Sequence, residues 1–450
     1  MLCSISLTYA DHPIQLSLDE AILLAVRSHP NVQSSQLTYV AQKFNAYVQQ
    51  WEFYPHYNLQ AGYIAGPNVA NISPSVSLAT PIGTQVSLTS TNTYTDRVKP
   101  GLSLQIVQPL MRGFGTAVVE AALNNAKDTE EISRLNVEGT LRATITAVID
   151  AYLDVVSAEQ FISIDKAALS RAKKSVEQTK LFIKAGHKAG NELVTVQANV
   201  ASAQTQLIND KNNLIRARYA LLTAIGIDPN SSVTFSKIKL DALINKYYLP
   251  TLNDTKRLIL KNDIQYQVDQ ITLHGPTSRN LLVAEDNTRW QLNLSAIAAT
   301  GDATLGFFNG VNQNRSVGLI LQVPIDDQTR KQAVMNAKIA LKQAELALKQ
   351  EKWAKETNAI NGWNAVVSAK LSLQYAREAE SFQEKTYRVS YQKYLHGLID
   401  SLELQTAQLQ LIQSQQVRLN AEIGYLKALA NLDFLVGKTL MTWNVKVRLE

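Results

Sequence analysis

Residues 390–400, SYQKYLHGLID, interrupt a long helical pattern and decide how the second half of the chain folds. No proline occurs from about residue 328 to 394, and the helical pattern resumes at Leu398 and continues to about residue 435. Residues 180–191, KLFIKAGHKAGN, break an earlier proline-free pattern in the same way, again with a glycine and a histidine. Because glycine adopts the left-handed conformation that ends helices, the two breaks predict two long helical hairpins.

The helices on either side of the first break carry the apolar spacing of a coiled coil. Before it, apolar residues are spaced 4, 3, 4 and 3 residues apart, and after it they recur at every seventh position, the spacing of a packed helix pair. The first set is Leu141, Ile145, Val148, Tyr152 and Val155, and the second is Leu193, Val200, Leu207, Leu214 and Leu221, with Val196, Ala203 and Ala217 on a companion row.

The length of these helices is unusual for a globular domain. About 69 residues from residue 116 to 184 would extend roughly 100 Å at about 1.5 Å per residue. The returning helix, to about residue 224, has only about half that length. We expect a shorter helix at about residues 30–53 to stack end to end on the returning helix. Ser17 and Glu20, in a capping-box pattern, mark the start of the helix before it.

Short segments between the helices alternate in polarity as β-strands do. With about 8 to 10 residues each, they are long enough to cross a bilayer when tilted, and several aromatic residues lie near their ends. Half-buried strands of a soluble protein's sheet would show the same alternation of polar and apolar residues. So few strands per chain cannot close a barrel, so open edges would require a cover or other copies of the chain. The segments begin at Tyr57, Gln85 and Gly101 in the first half and at Trp290 and Ser316 in the second, and the aromatic residues are Tyr57, Tyr63, Tyr94, Trp290, Phe307 and Phe308.

The order of helices and strands repeats, which indicates an internal duplication. An offset of 209 residues aligns the two halves and places His187 on His396. We predict a first repeat at residues 11–229, with strands at about 57–108 and a hairpin at 116–226. The second repeat covers 230–437, with strands at about 290–323 and a hairpin at 328–436. Residues 1–10 would be the remnant of a signal peptide cleaved after Ala10, or a flexible terminus, and 438–450 a C-terminal tail.

The composition predicts a protein without catalytic, metal or nucleic-acid sites. The net charge is +6, but basic and acidic residues are interleaved along the helices, as on a solvated face. One cysteine, Cys3, excludes a disulfide within the chain, and the six histidines lack metal-ligand spacing. The turn Arg112-Gly113-Phe114-Gly115 has no lysine of a phosphate loop. We therefore expect no enzyme, no cofactor, no metal and no nucleic-acid partner.

Several segments together resemble the TolC family of outer-membrane efflux and secretion channels. These are LSLDEAILLAVRSHPNV near the start, LQIVQPLMRGFG at 104–115, AYLDV at 151–155 and LQVPI at the end of the second strand block. The resemblance covers about residues 16–437. It implies a mainly α-helical fold with transmembrane β-structure: a periplasmic tunnel of long helical hairpins, and four strands per protomer in a trimeric 12-stranded barrel in the outer membrane of a Gram-negative bacterium.

The same resemblance implies the partners of such a channel. A homotrimer embedded in outer-membrane lipid would conduct substrates passively, linked by a periplasmic adaptor, or membrane fusion, protein to an inner-membrane pump of the RND or ABC type. The cargo stays open between drugs, metal ions and secreted proteins. Two other classes of protein stay open as alternatives: a soluble periplasmic coiled-coil scaffold, and a self-inserting pore-forming toxin.

Site residues also follow from the resemblance. Family members close the tunnel with two acidic residues three apart, and Asp400 and Glu403 form such a pair one step displaced from the family position. Carboxylates from three copies around an axis would attract cations and impede anions. Alternatively, Asp400 favours a helix start and Glu403 lies on an exposed face. The hairpin tips, where an adaptor would dock, correspond to Gly186, Gly190, Gly397 and Leu398, and His187 and His396 would be solvated tip residues or a pH-sensitive cluster.

Overall fold

A computed structural model describes residues 14–66, 69–94, 98–231, 233–236, 240–301 and 315–446. The predicted cleavage site after Ala10, Cys3, Phe307 and Phe308 lie outside these residues. The described chain forms two compact units. The first comprises the described parts of residues 1–35, 137–263 and 354–450, and the second those of 36–136 and 264–353.

The described part of the chain is mostly helical, and five of its helices are long. They are α2 (Pro30–Trp51), α4 (Ala121–Lys184), α5 (Glu192–Ile225), α10 (Gln328–Leu395) and α11 (Ser401–Leu435), of which α2 is the shortest. The shorter helices are α1 (Leu18–Ser28), α3 (Thr116–Val119), α6 (Leu240–Ile244), α7 (Leu252–Asn262), α8 (Ile264–Thr272), a π-helical turn (Leu273–Thr277), α9 (Ser278–Asn287) and α12 (Thr439–Thr442). Within the described ranges, no helix is both long and apolar enough to cross a membrane.

The start of α1 is fixed by the capping box that the sequence predicts. The Ser17 side chain accepts a hydrogen bond from the Glu20 N–H, and the Glu20 carboxylate accepts one from the Ser17 N–H at 2.8 Å. Each residue thereby satisfies a backbone N–H that the first helical turn leaves free.

The start of α2 lies against the end of α5 within the first unit, at the point where the sequence predicts the two helices to meet. Gly226 ends α5 in the left-handed conformation, with φ of +85°. A Cβ atom on Gly226 would lie 2.9 Å from the Cα atom of His29 and 3.1 Å from the ring of Pro30, the first residue of α2. The glycine therefore allows the end of α5 to contact the start of α2 without a steric clash.

The core of the first unit is built on the predicted coiled-coil seam. Side chains from α1, α4, α5 and α11 form one apolar cluster, and the seam residues of α4 are buried throughout. On α5, in contrast, Leu221 is the buried member of the row that recurs at every seventh position, and the members of this row nearer the turn are half-buried. The buried set on α4 is Leu141, Ile145, Val148, Tyr152 and Val155, and the half-buried set on α5 is Leu193, Val200, Leu207 and Leu214.

The second unit contains one antiparallel sheet of six strands. Their order is β2-β3-β4-β5-β7-β8, which leaves β2 and β8 as the edges. The strands are β2 (His56–Ile64), β3 (Val69–Ala79), β4 (Gln85–Tyr94), β5 (Val98–Pro109), β7 (Gln291–Gly301) and β8 (Arg315–Gln322). A separate parallel pair, β1 (Ile14–Leu16) and β6 (Val233–Phe235), belongs to the first unit.

The sheet has six strands, two more than the four per protomer that the resemblance to the TolC family implies, because β3 and β4 form a hairpin between β2 and β5. Pro74, in the middle of β3, has no N–H to donate, and the β3–β4 ladder is interrupted there without a change of register. This proline and the serines around it conceal the strand in the sequence. A tight turn closes the hairpin, with hydrogen bonds between Thr80 and Thr84 and with Gly83 at φ of +96°.

Candidate functional site

The first hairpin turn begins where α4 ends at a glycine with positive φ. Gly186 has φ of +74°, and its N–H donates to the carbonyl of Ile183 at 3.0 Å. The N–H of His187 donates to the carbonyl of Phe182 at 2.9 Å. This pair of bonds is the Schellman motif, which satisfies carbonyl groups that the last helical turn leaves free.

The second hairpin turn begins with the same motif at the end of α10. Gly397 has φ of +72°, its N–H donates to the Tyr394 carbonyl at 3.0 Å, and the Leu398 N–H donates to the Lys393 carbonyl at 2.9 Å. Gly397 is therefore the structural counterpart of Gly186.

The two turns differ in length after these glycines. Asn191 is the N-cap of α5, five residues after Gly186, and Asp400 is the N-cap of α11, three residues after Gly397. The first turn thus has two more residues than the second. Gly190 lies in the longer turn, and its φ is not positive, so it has no counterpart in the helix-ending motif.

This difference in length separates the two histidines. His396 precedes its glycine, whereas His187 follows its glycine. The predicted alignment of His187 on His396 is therefore wrong, because a single offset of 209 holds only after the turns and is 211 before them. Both side chains belong to exposed residues.

The proposed acidic pair lies at the start of α11. The Asp400 side chain accepts a hydrogen bond from the Glu403 N–H at 2.8 Å and so caps the helix. Both Asp400 and Glu403 are exposed. The capping role that the sequence offered as an alternative is present, and it leaves both carboxylates facing solvent within one protomer.

Tyr394 joins the ends of the two hairpins and was not predicted from the sequence. The side chain is fully buried, and its hydroxyl lies 2.7 Å from the Thr179 hydroxyl of α4. Its ring meets the ring of Phe182 edge to face, with 5.7 Å between the centroids. The Lys188 ammonium lies 4.1 Å from the ring centroid and also pairs with Glu192 at 2.9 Å. We call these five residues the turn cluster.

The direction of the hydroxyl bond in the turn cluster follows from its neighbours. Thr179 also donates to the Ser175 carbonyl at 2.7 Å. Because the threonine hydroxyl has one hydrogen, the Tyr394 hydroxyl donates to the Thr179 oxygen. The contact therefore holds the end of α10 against α4 through a buried hydrogen bond and an aromatic pair.

A buried pair of carboxylates lies further along the same helices. Asp165 of α4 and Asp210 of α5 are both buried, and Asp165 lines a polar cavity of about 480 Å³ between α4, α5 and α11. Asp210 accepts hydrogen bonds from Gln206 and Asn213, each at 2.9 Å. Burial, together with the neighbouring Asp210 carboxyl group, raises the pKa of Asp165 to about 7.

Asp210 carries a signal in the sequence that could have identified it. It occupies the seventh-residue position between Ala203 and Ala217 on the companion row, where an apolar residue is expected. Tyr394 has a weaker signal, an aromatic residue three positions before a helix-ending glycine. Neither signal identifies the partner across the helix interface, since that requires the packing of α4 against α10 and α11.

The sheet of the second unit has one apolar and one polar face. Residues paired across the strands share a face, so each cross-strand row shows the character of one side. One row consists of Leu78, Val86, Ile106, Ala296 and Val317. The adjacent row on the other face consists of His56, Ser77, Ser87, Gln105, Ile297 and Ser316. Such alternation suits a wall between lipid and water.

The described residues show no site that would hold a metal ion. No three His, Cys, Asp or Glu side chains among them lie close enough together to coordinate one. The groups that the structure does bring together are those of the turn cluster, the buried carboxylate pair and the two-faced sheet.

Solved structures of outer-membrane channels share this fold. The outer-membrane channel OprN is 15% identical, with a TM-score of 0.70, over 93% of this chain and 89% of that one. CusC is 13% identical, with a TM-score of 0.71, over 96% and 95% of the two chains. The open state of the Neisseria gonorrhoeae channel MtrE is 17% identical, with a TM-score of 0.69, over 93% and 88%. No curated protein sequence matches the chain.

The family is shown by the sequence itself. Residues 22–227 and 284–438, most of the chain, match the family model described as outer membrane efflux protein. This match confirms the predicted family, the outer-membrane location and the class of exit duct, and it places the chain among transport proteins. The chain belongs to the outer membrane efflux protein family.

Proposed function

We propose that three copies of this chain form a channel that conducts substrates passively from the periplasm across the outer membrane. The observation that carries the proposal is the sheet of the second unit, with its apolar face, its polar face and two open edges. In a bilayer every backbone N–H and C=O needs a partner, so a sheet with free edges must close with other copies.

An exposed apolar stripe on α2 supports the same assembly. Five large apolar side chains follow one another at intervals of 3, 4, 3 and 4 residues, and all are exposed in one protomer. This is the spacing of a helix face that packs against other helices, and an exposed stripe of this size marks an interaction surface. The residues are Leu37, Val40, Phe44, Tyr47 and Trp51.

The hairpin turns would form the periplasmic entrance of this channel, which would open when the hairpin ends separate. Asp400 and Glu403 from three copies would place six carboxylates near one axis, where they favour cations over anions. The N-cap role of Asp400 is compatible with this selectivity, because the capping bond uses one carboxylate oxygen and the charge remains. The residue is therefore proposed both to start α11 and to contribute to the gate.

The turns would also dock a periplasmic adaptor that links the channel to an inner-membrane pump. A Cβ atom on Gly186, Gly190 or Gly397 would meet no atom within 4 Å, and Leu398 is exposed. Bare backbone beside an exposed leucine allows another helical hairpin to approach closely. The two histidines, both exposed, are proposed to be solvated tip residues.

The mass of the purified protein tests the proposal. Exported by an attached signal peptide and extracted from outer membranes in detergent, the 49.8 kDa chain is expected to give a trimer by native mass spectrometry. A protein that stays soluble in the periplasm without detergent would instead be a coiled-coil scaffold. A water-soluble monomer that assembles only on a target membrane would be a pore-forming toxin.

A further inference from the structure

We infer that all six strands of each protomer enter the membrane wall, so that three copies close a barrel of eighteen strands instead of twelve. The inference rests on the proposed trimer and adds to it the number of strands and the width of the pore. The residues that distinguish the two barrels are those of the β3–β4 hairpin.

The β3–β4 hairpin lies inside the sheet and not on its surface. β3 pairs with β2 over nine residues, and β4 pairs with β5 over ten. Removing the hairpin would break both ladders and leave β2 unconnected to β5. With 11 and 10 residues, β3 and β4 also have the length of a tilted membrane-crossing strand, about 9 to 11 residues.

The hairpin has the same two faces as the strands around it. Leu88 of β4 pairs with Leu104 of β5, and their side chains are 39% and 38% exposed. Ser87 pairs with Gln105 on the polar face. The apolar side chains of β4 are as exposed as those of β5, so both strands need an apolar environment on the same face of the sheet. Lipid provides this environment for both strands if both belong to the barrel wall.

The two edges of the sheet suit a second copy of the chain. With six strands in alternating directions, β2 and β8 run antiparallel to each other, so β8 of one copy fits beside β2 of the next in an antiparallel ladder. Both edges carry exposed apolar residues, which include Tyr57 at 80% and Val317 at 74%. Pairing β8 with β2 three times removes every edge and continues both faces around the barrel.

The number of strands sets the width of the barrel. With strands about 4.8 Å apart and tilted by about 40°, eighteen strands give a backbone radius of about 18 Å and twelve give about 12 Å. Equivalent residues in three copies would then be separated by about 31 Å or about 21 Å, respectively. The wider barrel has the strand number of porins, which hold a water-filled channel.

Distances between spin labels distinguish the two barrels. In a protein with Cys3→Ser, a nitroxide attached at Gln105→Cys on β5 reports the separation of the three copies by double electron–electron resonance in detergent or lipid. At this water-facing position the label points toward the barrel axis, so the measured distance is corrected for that inward offset, and the corrected backbone separation is expected to be about 31 Å. Dilution with unlabelled protein should reduce the signal amplitude without changing the distance. A separation of about 21 Å would overturn the eighteen-strand barrel and leave the trimer intact. The absence of any distance between copies would overturn the proposed trimer itself.

Labels on the hairpin provide an independent test. A nitroxide at Leu88→Cys is expected to collide mainly with oxygen dissolved in lipid, and one at Ser87→Cys mainly with a water-soluble nickel complex. Leu104→Cys and Gln105→Cys on β5 are the matched controls. If the controls show this difference and both β4 labels are reached by the nickel complex, the hairpin lies outside the wall and the inference is wrong.

Discussion

Replacing Tyr394 by phenylalanine removes one hydrogen bond from the turn cluster and little else. The lost bond is the one that the buried tyrosine hydroxyl donates to Thr179. Thr179 keeps its bond to the Ser175 carbonyl, so no donor is left without a partner. A neutral hydrogen bond contributes about 0.5–1.5 kcal/mol, and this one should lie at the lower end of that range.

The effect on opening follows from the proposal that the hairpin ends separate when the entrance opens. Three copies would together lose roughly 1.5–3 kcal/mol of preference for the closed state, which is about a tenfold to hundredfold rise in the open-to-closed ratio. Single-channel recording of purified Tyr394→Phe in planar bilayers measures this ratio directly. Thermal unfolding should change little, whereas Tyr394→Ala, which empties a fully buried site, should cost about 3–5 kcal/mol.

Tyr391→Phe is the matched control. Tyr391 lies one helical turn before Tyr394 and stacks on Tyr387, with 6.1 Å between the ring centroids. It should leave the open-to-closed ratio unchanged. Equal behaviour of the two phenylalanine variants would refute the reasoning, because the hydroxyl of Tyr394 would then have no part in holding the entrance closed.

Two further predictions concern the carboxylates. Asp400→Asn with Glu403→Gln keeps an N-cap side chain on α11 but removes the charges, so cation selectivity in planar bilayers should fall several-fold with no loss of thermal stability. The control Asp228→Asn, which alters an exposed carboxylate, should not change the cation selectivity. Unchanged selectivity in the double variant would contradict the gate. Because the pKa of Asp165 is raised above its unfolded value, the free energy of unfolding should decrease as the pH rises from about 4 to about 7. Asp165→Asn should reduce this decrease in pH-dependent denaturation curves without abolishing it, because burial also raises the pKa of Asp433, to about 6. The exposed Glu177→Gln should leave the decrease as it is, and an unchanged pH profile in Asp165→Asn would refute the assignment.

The helical part of the fold follows from the sequence because its signals are local and regular. The seam from Leu141 to Val155 identifies the buried face of α4, and the capping box at Ser17 marks the start of α1. The meeting of the end of α5 with the start of α2 was expected from helix lengths alone. In each case spacing along the chain determines the structure.

The parts that the sequence did not predict depend on partners distant along the chain. Strand β3 contains Pro74 and three serines, and only pairing on both sides with β2 and β4 shows that it is a strand. The turn cluster joins Thr179 to Tyr394 across 215 residues. The division of the chain into two repeats at residue 229 stays a prediction, as do the roles of the site residues.

The orientation of the sheet in the membrane is the most direct test of an outer-membrane channel. Nitroxides at Leu104→Cys and Gln105→Cys, neighbours on β5, can be compared in outer-membrane vesicles by their collision rates with oxygen and with a water-soluble nickel complex. A membrane-crossing sheet predicts that oxygen dominates at residue 104 and the nickel complex at residue 105. Equal access of the nickel complex to both positions would mean that β5 does not cross the membrane, and the proposed channel would be contradicted.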